Sequence, residues 1–130
     1  MWSDLDLTDA VANILRDVHL NNPRGHHFGR PYITAYQIAI ELEIRYLEVF
    51  EVIGKQIGGK GTGEHTSVTQ YIANQLSKRI NADPSGFPVE GIFMSNENVM
   101  DMLFTRSDGT LIQSSLAGTA SDIALYRFAD

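Results

Sequence analysis

The sequence predicts an α+β chain: three N-terminal helices within residues 1–82, then a small antiparallel β-sheet or hairpin within residues 88–130. Three observations lead there. Apolar residues recur at helical spacing through the first two thirds of the chain. Two Thr/Ser-x-x-Gln sequences mark helix starts. Beyond Pro88 the apolar period shortens around Asp108-Gly109, a pair suited to a tight hairpin turn.

The first helix is expected from Thr8 to Leu20, because Leu7, Val11, Ile14, Leu15 and Val18 fall on one face. Asp4, Asp6 and Asp9 gather at its start, where the helix dipole favours negative charge. The second helix opens with a capping box, Thr34 and Gln37, with Ile33 placed to staple onto Ile38. Its apolar residues, among them Ile38, Leu42, Tyr46, Val49 and Ile53, keep helical spacing without a break as far as Gly54. The third helix repeats the device with Ser67 and Gln70, buries Val68, Ile72, Leu76 and Ile80, and ends at Asn81 before Asp83-Pro84-Ser85-Gly86. Short strands are expected over Val89–Met94, Asn98–Arg106, Thr110–Leu116 and Ile123–Phe128, although Ser95 to Phe104 also fits a short helix.

A length of 130 residues suits a single domain, large enough to fold without a covalent or metal staple. The chain contains no cysteine, which excludes disulfides, thiolate-bound zinc, iron–sulfur clusters and thiol catalysis. Met1 to Asp6 is acidic where a secretory signal is basic, and no apolar run is long enough to span a bilayer, so a cytoplasmic protein without membrane contact is expected. The net charge of −6 is unevenly spread. Residues 54–81 carry Lys55, Lys60, Lys78 and Arg79 against Glu64 alone, giving +3, between flanks of −4 and −5. A basic island of this kind is either a solvated surface or a nucleic-acid footprint.

Two segments bear chemistry beyond that of plain connectors. Residues 21–31 pack His26, His27, Arg24 and Arg30 into one loop, and imidazoles titrate near neutrality. With His65 from the next loop they form a candidate ligand site of His26, His27, Arg30 and His65. The structural alternative has Phe28 plugging the core and the histidines capping helix ends. The other segment, Gly58 to Ser67, is glycine-rich directly before a helix, where converging N–H groups attract anions. It lacks the Gly-Lys-Ser/Thr order of a phosphate-binding P-loop, since Gly61 follows Lys60, and a flexible linker between helices is the plainer reading. Ser114 and Ser115 lack a nucleophile elbow, and no carboxylate pair suggests acid–base work, so neither a catalytic residue, a metal nor a cofactor is expected.

Helix, helix, helix, hairpin is the order of a winged helix–turn–helix, in which the third helix reads the DNA groove. The "T-x-x-Q" openings of the second and third helices resemble the phrasing of such helices, without marking any family. On this reading nucleic acid is contacted by Lys60, Thr69, Gln70, Asn74, Lys78 and Arg79, whose side chains suit bases and phosphates. A long second helix, a long link to the third and overall acidity count against it. The alternatives are a protein-interaction or assembly module, with a homo-oligomer as one form, and a small enzyme or ligand-binding protein using the His-rich and Gly-rich loops. The chain is expected to be a binding protein rather than an enzyme.

Overall fold

The computed structural model describes residues 4–19, 28–60, 67–119 and 121–129. Their order is α1 (Asp4–Arg16), β1 (Ile33–Thr34), α2 (Ala35–Arg45), α3 (Leu47–Ile53), α4 (Val68–Ala82), β2 (Val89–Met94), β3 (Leu103–Thr105), β4 (Leu111–Gln113) and β5 (Ile123–Phe128). Four helices and antiparallel sheets make the α+β class, with the helices ahead of every strand except the two-residue β1.

The sheet order is β1-β5-β2, antiparallel throughout, and β3-β4 forms a separate hairpin between β2 and β5 in the chain. Ile14 and Leu15 of α1, Ile38 and Leu42 of α2, and Val68 and Ile72 of α4 are buried side by side in one cluster. Val89, Ile112 and Tyr126 from the strands close it. Burying such side chains is worth ~1.5–3 kcal/mol each, which makes this cluster the main stabilising element of the fold.

α1 begins before Thr8 and stops at Arg16 instead of reaching toward Leu20. Its last turn tightens, with the Val18 N–H donating to the Leu15 carbonyl, and Arg30 donates to the carbonyl of Arg16. A guanidinium at a helix C-terminus satisfies an orphan carbonyl and suits the dipole.

The expected second helix is two. The capping box forms as expected, with Thr34 Oγ1 accepting from Gln37 N–H and Gln37 Oε1 from Thr34 N–H. At Tyr46 the backbone leaves the helical region (φ −136°, ψ 55°) and α3 starts afresh. The break re-aims the chain so that Val49, Phe50 and Ile53 pack against the core, and Gly54 ends α3 in the left-handed region as expected. No proline or glycine marks the turn. Tyr46 is instead held by tertiary contacts, its hydroxyl accepting from Asn13 Nδ2 and its ring lying under the Arg45 guanidinium.

α4 is capped by Ser67, whose Oγ accepts from Gln70 N–H, but the reciprocal half of the box is replaced by Gln70 Nε2 donating to Asn74 Oδ1. β2 and β5 keep their expected bounds. The two middle strands shrink to three residues each, and residues 95–102 are neither strand nor helix. Their polar groups are met another way: buried Asn96 donates from Nδ2 to the carbonyls of Leu116, Thr119 and Ser121 and accepts from Gly118 N–H at Oδ1. Met100, on this irregular stretch, is exposed.

The Asp108-Gly109 turn is present, with Gly109 at φ 88°. The Thr110 N–H, and then its hydroxyl, donate to Asp108 Oδ1 and hold that carboxyl below the usual carboxylate value. A carboxylate depressed in this way stabilises the fold above its unfolded-state pKa, and that contribution is lost as pH falls through the folded-state value. NMR titration should find Asp108 ionising below an ordinary aspartate, with Thr110→Val moving it part of the way back.

Candidate nucleic-acid interface

α4 carries no acidic residue along its length. Val68, Thr69, Ile72 and Leu76 turn inward, whereas Gln70, Asn74, Ser77, Lys78 and Asn81 are exposed. These five recur at intervals of four, three, one and three, which places them on one stripe of the helix. The stripe offers amide, hydroxyl and ammonium groups and no large apolar side chain.

Beside it stands the β2-β5 hairpin. Tyr126 of β5, buried, reaches Ser77 with its hydroxyl 3.4 Å from Ser77 Oγ and so braces the hairpin against the helix. Between Ser77, Ile80 and Asn81 on one side and Gly91, Ile92 and Phe93 on the other runs a groove of about 320 Å³. Phe93 is 74% exposed at its rim.

Of the six residues expected to touch nucleic acid, three share this stripe: Gln70, Asn74 and Lys78. Thr69 is buried. Arg79 lies nine residues from Gln70, about two and a half turns, and therefore on the opposite side of α4. There it lines a crevice with Leu7 and Val11 of α1 and with Phe87. Lys60 sits on the connector 55–60, its N–H donating to the Gln113 carbonyl, in a separate groove that also holds Glu43, Lys55 and Arg106. The basic island of the sequence is thus divided among three places. Asn81, read from the sequence only as a helix stop, belongs to the stripe, and its spacing of four from Ser77 and seven from Asn74 was the signal for it.

The glycine-rich connector has a packing role in its described part. Val68 and Thr69 donate their N–H groups to the carbonyls of Gln56 and Ile57, while Ile57 and Gly58 are buried. Gly58 (φ 102°) lies so close to α4 that a Cβ there would meet Ser67 Cβ at 2.4 Å. This part of the connector is a fitted strap, not a loose linker.

His26, His27 and His65 fall outside the described residues, so the candidate ligand site is represented by Arg30 alone. Arg30 is committed to the carbonyl of Arg16 and approaches the Phe128 ring. Phe28 is 79% exposed and does not plug the core. Its segment is fastened through the backbone, with Arg127 Nη1 donating to the carbonyls of Phe28 and Arg30 while Nε pairs with Glu90. Among the described residues no group of three His, Cys, Asp or Glu is placed to hold a metal ion, and no helix is long and apolar enough to cross a membrane.

Comparison with protein-family models, with curated proteins and with solved structures finds no match to this chain.

Proposed function

We propose that this chain is a winged-helix-like binding domain that contacts nucleic acid through the outer stripe of α4. The observation that carries the reading is that stripe: Gln70, Asn74, Ser77, Lys78 and Asn81, exposed together and free of acids in a chain of net charge −6. Amide side chains suit base edges, and a lysine suits a phosphate. The sheet order β1-β5-β2, with β1 between the first two helices and β2-β5 beside α4, supports the winged-helix reading, α3 and the β3-β4 hairpin being additions to it.

Fluorescence anisotropy with a duplex oligonucleotide tests this. Binding should weaken steeply as salt rises, and Lys78→Ala should lower the logarithmic salt slope by about one. Gln70→Ala with Asn74→Ala should relax base discrimination by ~1–3 kcal/mol per lost bidentate contact. Arg79→Ala, on the other side of the helix, should leave the salt slope unchanged. Absence of binding even at low salt, or equal effects of the Lys78 and Arg79 variants, would refute the interface.

A protein partner is the second reading, favoured by the exposed Phe93 and Ile92 beside the same helix. On that reading Phe93→Ala abolishes self-association in sedimentation, and oligonucleotide binding is absent from the start.

A further inference from the structure

A second cavity, of about 140 Å³, opens on the other flank of α4's first turn, where the N-termini of α2 and α4 converge. Its polar side chains are the hydroxyls of Thr34, Tyr36, Ser67, Thr69, Ser114 and Ser115 and the amide of Gln70. No charged side chain takes part.

Backbone N–H groups donate to four of these hydroxyls. Thr34 Oγ1 accepts from Gln37 N–H, Ser67 Oγ from Gln70 N–H, and Ser114 Oγ from the N–H groups of Leu116 and Ala117. Tyr36 and Ser115 share a bond between their hydroxyls, and the Ser115 N–H also donates to the tyrosine oxygen. One proton of that pair satisfies the other oxygen, and one remains. Among the described residues, the hydroxyl protons of Thr34, Ser67 and Ser114 meet no protein acceptor. Thr69 goes further: it is 8% exposed, and its Oγ1 has no partner of either kind. A hydroxyl has one donor and two acceptor sites. Here backbone N–H groups fill five of the twelve acceptor sites and the Tyr36–Ser115 bond a sixth, while five hydroxyl protons have no acceptor among the described residues.

Five unspent donors, the buried Thr69 hydroxyl among them, suit a ligand made of acceptors. The partial positive ends of two helices, 11 and 15 residues long, add to that preference. The volume is ample for a tetrahedral oxyanion, since one water needs only ~10–15 Å³ on the same measure. We infer that this cavity is a phosphate-binding site, with Thr69 as the buried donor that makes it specific. The phosphoryl group comes either from a small molecule or from a nucleic-acid backbone. Gln70 borders both this cavity and the outward stripe of α4, but Thr69 and Asn74 lie about 140° apart on the helix, so the two are tested by different residues.

Thermal unfolding in inorganic phosphate, against chloride at matched ionic strength, is the test. Wild type should gain about 3–6 °C once phosphate exceeds its Kd roughly tenfold. Thr69→Val, which keeps the side-chain shape and removes the hydroxyl, should melt at or above wild type in chloride and lose the phosphate-specific gain. Thr69→Ser should retain it. Ser115→Ala, at an exposed position, is a second variant and should reduce the gain. An equal rise in wild type and Thr69→Val would overturn the site, because it would report only the general salting effect of phosphate. With an oligonucleotide, weaker binding by Thr69→Val marks the backbone as the source, and unchanged binding marks a small phosphorylated molecule. Lys78→Ala keeps the phosphate response in either case, so failure of the stripe and failure of the cavity are separately visible.

Discussion

Gly58→Ala should be among the most damaging single substitutions in the chain, lowering stability by ~2–6 kcal/mol. The figure joins two separate costs. Holding a residue with a side chain at φ 102° costs ~1–3 kcal/mol. Forcing an extra carbon into packed surroundings, here 2.4 Å from Ser67 Cβ, costs another ~1–3 kcal/mol. Ser67 is the cap of α4 and cannot yield without releasing Gln70 N–H, so the clash is not cheaply relieved. Urea unfolding measures the loss directly. A Gly58→Ala protein as stable as its parent would mean that connector and cap are not in contact in solution, and the strap would have to be withdrawn.

Asn96→Asp should be nearly as costly and should carry a pH signature. The wild-type amide points its NH₂ at three carbonyl oxygens. A carboxylate would face those oxygens as acceptor against acceptor, with buried unsatisfied groups costing ~1–3 kcal/mol apiece. Burial and the carbonyl dipoles would raise the pKa of the introduced acid in the folded state. The sign follows from linkage: the variant comes nearest to wild type at acid pH, where the carboxyl is protonated and can donate, and falls away as pH rises above the unfolded-state value. A stability difference that stays flat with pH would show that residue 96 is hydrated rather than buried among carbonyls.

Much of the architecture was readable where local chemistry decides. β2 and β5 have the bounds expected from their apolar pattern, and the Thr34-Gln37 box forms as its spacing requires. What escaped was decided by contacts distant in sequence. Tyr46 breaks a helix that no glycine or proline interrupts, because Asn13 and the packing of Val49, Phe50 and Ile53 favour the turn. β1 is two residues long, too short for any period to register, and exists because β5 offers a paired edge. Residues 98–102 are irregular where a strand was expected, beside the side-chain bonds of Asn96, a residue with no distinguishing mark in the sequence.

The candidate sites divide in the same way. Gln70, Asn74 and Lys78 follow from composition and helical spacing together, and Arg79 was grouped with them on composition alone. A nine-residue interval from Gln70 would have set it apart. The cavity at Thr69 was beyond reach of the sequence, since its walls come from α2, α4 and the segment after β4, and only the fold brings those hydroxyls together.

Met94 and Ile123 are paired neighbours across the sheet, so the 28 residues from 95 to 122 leave and rejoin it at a single doorway. That excursion is a graft on the hairpin and not a course of its masonry. It reaches back to α2 through Phe104 stacked on Tyr36 and Arg106 paired with Glu43, and it supplies Ser114 and Ser115 to the cavity. Because Ile112 of this excursion also sits in the core cluster beside Val68 and Ile72, shortening it would loosen the seat of α4 as well as open the cavity. The walls of the proposed phosphate cavity are therefore changed more safely by substituting its serines than by cutting the excursion back.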